Sequence, residues 1–193
     1  MPALEAHSTR VQIAAFDFDG TLTNRDTLLP FLLQSLGWLG LARALLLSSP
    51  WLLAFALRQI SNERAKARLL QVSLGGKTRS ELQASAQRFV RDYLPSQWQA
   101  WTLAQLAQHQ AQGHVCVIVS ASPGVFVHVA AASLGVVHVL CTELECQGER
   151  YSGRLATPNC YGEQKVLRLQ AWLADNGYAP GPQVQTVLHA YGD

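Results

Sequence analysis

The stretch Val11-Gln12-Ile13-Ala14-Ala15-Phe16-Asp17-Phe18-Asp19-Gly20-Thr21-Leu22-Thr23-Asn24 constrains this chain more than any other part of it. An apolar run with the pattern of a strand buried on both faces ends abruptly in two carboxylates, a glycine and two hydroxyls. Such runs belong to parallel sheets covered by helices, which predicts an α/β fold. The polar groups then stand where the strand leaves its sheet, the edge at which open α/β sheets bind ligands. Asp17 and Asp19 are one residue apart, and carboxylates that close resist joint ionisation unless a cation joins them or one keeps a proton. The pattern therefore predicts a site for Mg²⁺ and for acid–base chemistry. Gly20 lets the backbone turn tightly and offers N–H groups to an anion, while Thr21 and Thr23 can hydrogen-bond the turn. A solvated turn or a calcium loop carries similar polar residues, but neither needs a buried strand directly upstream.

The segment FDFDGTLT resembles the first motif of the haloacid dehalogenase superfamily of phosphohydrolases. The resemblance implies a Rossmann-like three-layer core on a parallel sheet, with an all-helical cap (type C1) inserted after the motif, as in the phosphoserine-phosphatase-like branch. It also implies that Asp17 is a nucleophile that becomes an aspartyl-phosphate and Asp19 the general acid and base. Mg²⁺ would be held by the Asp17 carboxylate, the Asp19 backbone carbonyl and an acid of the last motif.

Of 193 residues, 15 are Lys or Arg and 13 Asp or Glu, a net charge of +2. The cations are scattered and do not interleave with aromatics, which excludes a basic stripe for nucleic acid. Cys116, Cys141, Cys146 and Cys160 form no CxxC pair and read as reduced thiols of a cytoplasmic protein. His7, His109, His114, His128, His138 and His189 are dispersed, none has the spacing of a metal pair, and none is given a role. Residues 1–10 read as a loose leader with no secretory signal.

From Asn24 to about Ala104 the chain shows helical periodicity and no convincing strand. Breaks are expected at Gly37, Gly40 and Ser48-Ser49-Pro50; Ser61 opens a further helix, and Thr78 or Ser80 another. Residues 24–104 are thus the expected cap, and 1–23 with 105–193 the core. The core resumes with the strand Val115–Val119, ending at Ser120, and a helix that Ser122-Pro123 would cap. A hydroxyl at that edge, beside a helix N-terminus, suits a phosphate. Its order in the chain matches the superfamily's second motif, so Ser120, with Ala121 and Gly20, would hold the phosphoryl group. A strand over 136–140 and a hairpin over 142–155 follow. Lys165 falls in the first turn of the next helix, where a cation opposes the helix dipole unless an anion is near; it matches the third motif, whose lysine offsets charge on nucleophile and phosphate. A last strand over 184–190 leads into Gly192-Asp193, the opening of the fourth motif. Asp193 is therefore the third expected metal ligand, and the natural protein is expected to continue beyond it.

The resemblance implies a small-molecule phosphomonoester substrate such as phosphoserine or a related metabolite. Asp26 falls where those phosphatases carry an acid for the substrate's ammonium, and Arg64 and Arg68 lie near the place of the arginine for its carboxylate. Between Leu28 and Leu57 the only full charge is Arg43. That leaves two apolar runs of about 15 residues, each short of the roughly 20 a membrane-spanning helix needs. They fit a self-packed cap core, or an amphipathic surface that meets membrane and a lipid phosphate such as phosphatidylglycerophosphate, with Trp38, Trp51 and Phe55 as interfacial anchors. A non-catalytic phosphate-binding module is the reading from another class. Oligomeric state leaves no mark on the sequence.

Overall fold

The computed structural model describes residues 9–181 and 184–192. The predicted apolar runs become the parallel strands β1 (Thr9–Phe16), β2 (Val115–Pro123), β3 (His138–Thr142) and β6 (Val184–Tyr191), in the sheet order β3-β2-β1-β6. Strand alternation sends Ala14, Phe16 and Ile118 to one face and Ile13, Ala15, Val117 and Val119 to the other, so both faces need cover. The second face is closed by α6 (Glu163–Asp175) through Leu169, Trp172 and Leu173. The first is closed by α4 (Ala100–Ala111) and α5 (Gly124–Ser133), through Leu106, Phe126 and Val127. Register aligns the strand ends: Phe16 lies opposite both Ile118 and Tyr191. β2 continues past Ser120, because Pro123 keeps the residue before it extended.

Between β1 and β2 the chain forms α1 (Leu28–Ala56), α2 (Asn62–Leu74) and α3 (Arg79–Asp92), with no strand among them. Ser61 caps α2, and Thr78, not Ser80, caps α3 in a reciprocal box with Glu81. Of the expected breaks in α1, Gly37 is real: its φ of 70° and ψ of 174° are open essentially to glycine alone. Pro50 does not end the helix. A proline removes the N–H that would bond the carbonyl four residues back, and here the Ser49 hydroxyl donates to that carbonyl, of Leu46, at 2.7 Å.

The insertion does not form a core of its own. Phe31 of α1 and Phe89 of α3 pack on Phe126 of α5, with ring centroids 4.7 and 5.4 Å apart, so helices of the insertion and of the sheet layer share one apolar cluster. Each fully buried ring contributes about 2–3 kcal/mol. The antiparallel hairpin β4 (Leu144–Gln147) and β5 (Arg150–Leu155) adds a polar tie. Tyr151 accepts from the Gly76 N–H and donates to the Lys77 carbonyl at 2.8 and 2.9 Å. α4 runs through residue 104, so the expected boundary there falls within a helix that packs on the sheet.

Packing into the cluster shared with the sheet layer accounts for Phe31, Leu32, Leu41 and Ala44 of α1. It does not account for Trp38, Leu39, Leu46 and Leu53, exposed by 73, 83, 72 and 61%. The two apolar runs, expected to be separate and too short, lie along one 29-residue stretch, Leu28–Ala56, which is kinked at Gly37 and meets the requirement for a membrane span by length and composition alone. Its buried residues, however, lie against the rest of the protein.

Candidate active site

β1 delivers Asp17 to the sheet edge, where its N–H donates to the Tyr191 carbonyl at 2.9 Å. One carboxylate oxygen accepts from the Phe18 N–H at 2.7 Å, and the other is paired with the Lys165 ammonium. Lys165 projects from the first turn of α6, so the cation that opposes the helix dipole has an anion to face. The following turn, Phe18–Leu22, depends on Gly20 at φ 75° and is closed by the Thr23 N–H donating to the Phe18 carbonyl at 2.9 Å.

That turn gives Asp19 partners of its own. Asp19 Oδ1 accepts from the N–H and hydroxyl of Thr27, and Oδ2 from the Ser122 hydroxyl. Burial pushes the Asp19 carboxyl above the usual carboxylate range, and the nearby charge of Asp26 adds to this. The hydrogen bonds from Ser122 and Thr27 act in the opposite direction without cancelling it. The two acids are thus divided by environment: Asp17 is held by a cation, while Asp19 is biased toward keeping a proton.

A second cation enters from the insertion. Lys66 of α2 donates to the Ala121 carbonyl at 2.5 Å and, at 3.4 Å, to Asn159 Oδ1. Burial lowers its pKa, opposed by the charges of Asp19 and Asp26. Among the described residues it has no carboxylate within ion-pair distance. Asp17, Asp19, Lys66 and Lys165 all line one cleft of about 730 Å³, whose outer wall is apolar, from Leu28, Leu52, Phe55 and Val166.

Of the residues expected here, Asp17, Asp19, Lys165 and Ala121 meet in this cleft, and Asp26 lines it while accepting from the Leu28 N–H at 2.9 Å. Ser120 is fully buried behind it, its hydroxyl accepting from the Ser122 N–H at 3.0 Å. Gly20 lines a neighbouring depression beside Gly192. A Cβ on Gly192 would sit 3.8 Å from that of Asp17, and Asp193 itself lies outside the described residues. Arg64 and Arg68 are not brought to the cleft. The face of α2 toward the cleft carries Asn62, Ala65, Lys66 and Leu69, and the arginines line a depression on the opposite side. There Arg68 stacks over Trp51 at 4.6 Å and bonds Gln71 Oε1 at 3.0 Å. Sequence reasoning missed Lys66, Thr27 and Asn159 and took Ser122 for a cap only. A lone lysine on a helix is usually solvated, and nothing local distinguishes Lys66 from that case.

A sheet with both faces covered, two acids at the end of its central strand and a lysine arriving from a later helix suit a phosphoryl-transfer site. Residues 14–193 match the family of haloacid dehalogenase-like hydrolases. The chain belongs to that family. This haloacid dehalogenase-like hydrolase is 32% identical over 184 residues to protein CicA of Caulobacter vibrioides, covering 94% of this chain and 78% of that protein. Its structure is similar to that of a protein of unknown function from Bordetella pertussis Tohama I, with a TM-score of 0.73 at 26% identity over 93% of this chain and 82% of that one. A phosphoserine phosphatase solved as a phospho-aspartyl intermediate analogue has the same fold, with a TM-score of 0.55 at 13% identity over 93% and 78% of the two chains. The chain is therefore a haloacid dehalogenase-like hydrolase by family and shares its fold with a phosphoserine phosphatase.

Proposed function

We propose that this hydrolase is a Mg²⁺-dependent phosphomonoesterase that works through an aspartyl-phosphate on Asp17. The observation that carries the reading is the cleft that the Lys165-paired Asp17 and the Asp19 held by Thr27 and Ser122 line together. An Asp17 carboxylate oxygen attacks phosphorus and the ester P–O bond breaks, its electron pair leaving with the alcohol oxygen. Asp19 gives that oxygen its proton. Water then attacks the phosphorus of the aspartyl-phosphate, Asp19 takes the water's proton, and Asp17 and inorganic phosphate are released. Lys165 and Lys66 offset the charge that builds on the phosphoryl oxygens, with N–H groups of the Gly20 turn and the Ser120-Ala121 segment as further donors.

The Asp17 carboxylate and the Asp19 backbone carbonyl are hard oxygen donors, and such a set fits Mg²⁺; Asp193 is the proposed third ligand. When bound, the ion would supply positive charge against the repulsion between carboxylate nucleophile and phosphate dianion. Residues 24–104 act as the C1-type helical cap over a core of 1–23 and 105–193, in a cytoplasmic protein. A phosphoserine phosphatase of this fold studied as a phospho-aspartyl analogue supports the covalent route. A small phosphomonoester such as phosphoserine is the first substrate reading: Asp26 is placed to meet an ammonium, while Lys66 takes the part expected of an arginine. Release of phosphate from an aryl phosphate with Mg²⁺, and its loss to background in Asp17→Asn, is the expected result. Full activity in that variant refutes the assignment, and an inert wild-type protein that still binds phosphate points to a non-catalytic module.

One observation favours a second substrate class. α1 exposes Trp38, Leu39, Leu46 and Leu53 outside, and its Leu52 and Phe55 line the cleft. A lipid phosphate drawn from a membrane surface would meet apolar side chains along the whole way to Asp17.

A further inference from the structure

Three histidines that the proposed reaction does not use come together on the α4 side of the sheet. His109 lies in the last turn of α4, His114 just before β2, and His189 on β6. Each ring offers one nitrogen, and the three nitrogens lie within 4.8 Å of one another. We propose that His109, His114 and His189 form a binding site for a borderline transition-metal ion, with Zn²⁺ as the reference case.

Donor type is the first argument. Neutral imidazoles suit Zn²⁺ and its neighbours, whereas Mg²⁺ selects oxygen, so Mg²⁺ at Asp17 does not occupy this site and saturating Mg²⁺ shields the other. Geometry is the second. His109 and His114 already face each other through Nδ1, 2.7 Å apart. Zinc–nitrogen bonds of about 2.0–2.1 Å separate tetrahedral ligands by roughly 3.3 Å. Small ring rotations therefore open the His109–His114 pair enough to admit an ion and draw His189 in. The third argument is the outer shell. Ligating histidines hold a partner on the nitrogen turned away from the metal, which fixes ring orientation. His109 Nε2 meets the Tyr191 hydroxyl at 2.8 Å, and His189 Nε2 meets Gln12 Oε1 at 3.0 Å, which leaves Nδ1 of each ring for the ion. His109 is buried and the other two half-buried, and with three protein ligands the fourth tetrahedral position falls to water.

An ion here joins the end of α4, the turn into β2 and the end of β6. Tyr191, bonded to His109, stacks on Phe16 at 4.5 Å and takes the Asp17 N–H through its carbonyl. The site thus fastens the strand end against which Asp17 is set, as a structural rather than a reacting metal.

The test is a titration of the whole chain with Zn²⁺ against a chromophoric chelator, with Mg²⁺ saturating. One tight equivalent is expected, weakened more than about tenfold in His114→Gln and in His189→Gln, and unchanged in His138→Gln. Co²⁺ supplies a readout that needs no variant: bands of a tetrahedral nitrogen and oxygen site, with no thiolate-to-metal charge transfer. A charge-transfer band would place the ion instead at the group His128, Cys141 and Glu143 and overturn the proposal. Affinity untouched by both substitutions, or no binding at all, also overturns it.

Discussion

At the scale of single residues, Lys66 is the informative group. Among the described residues Lys66 has no carboxylate partner, and a desolvated ammonium of that kind costs stability and persists where the charge has a use. Its neighbours Ala121 and Asn159 hold it at the cleft, in position to face a phosphate or a substrate carboxylate. Lys66→Met is expected to lower kcat/KM on an aryl phosphate by about 100–1,000-fold, the scale of one preorganised electrostatic donor. Its melting temperature should stay level or rise, because the desolvated charge is gone. A fall in stability with activity retained would make Lys66 a structural residue. The His128–Glu143 pair offers a titration check away from the site. The hydrogen bond that the His128 ring donates to Glu143 raises the His128 pKa against its burial, and the same bond lowers that of Glu143. A raised histidine pKa gives stability that is complete below the unfolded value and lost as pH rises through the folded one. A lowered Glu pKa gives stability present above its unfolded value and lost as pH falls through the folded one. The pair therefore contributes between the two, and modestly, since both side chains are about half exposed to solvent. An NMR titration should find His128 above the ordinary histidine value, and Glu143→Gln should bring it down. Asp17, Asp19 and Lys165 were legible in the sequence because each sits at a strand end or helix start with a local reason to be there. Lys66 and the histidine trio were not, since their meaning depends on partners supplied by distant elements.

At the scale of elements, α1 shows what glycine and proline signals do and do not settle. Gly37, Gly40 and Pro50 all read as breaks, yet only Gly37 leaves helical geometry. Whether a proline ends a helix depends on what becomes of the orphaned carbonyl, and the Ser49 hydroxyl answers that locally. Gly37 has no such substitute. A Cβ there meets no atom within 4 Å, so the penalty of Gly37→Ala is purely conformational. It should cost about 1–3 kcal/mol, and for a chain of this size each kcal/mol lowers the melting temperature by roughly 2–4 °C. An unchanged melting temperature would mean that the helix straightens at no cost. The parallel strands, the hairpin and α6 followed from apolar runs and turn residues, whereas the side of α2 that faces the cleft did not. Arg64 and Arg68 share one helical face and Lys66 occupies the other, and only the packing of α2 against α1 and β5 decides which looks inward.

At the scale of the whole molecule, the insertion and the sheet layer are joined through one aromatic cluster, so access to Asp17 runs through the cleft mouth between α1, α2 and α6. The exposed apolar side chains of α1, whose Leu52 and Phe55 line that cleft, then bear on substrate choice. An exposed Trp38 beside exposed Leu39 and Leu46 is costly in water and favourable at a lipid interface, where each such side chain buried contributes on the order of 1–3 kcal/mol. If the substrate is a lipid phosphate, the protein should float with vesicles of anionic phospholipid. Trp38→Ser with Leu46→Ser should reduce the floating fraction by at least about tenfold in partitioning. The same double variant should keep its turnover of a soluble aryl phosphate, because neither side chain lines the cleft, and should lose turnover of a vesicle-borne phosphomonoester. Equal loss on both substrates would mean that the substitutions disturb the fold. A wild-type protein that ignores vesicles yet hydrolyses soluble phosphoserine would leave the apolar face to another partner and return the substrate to the small-molecule class.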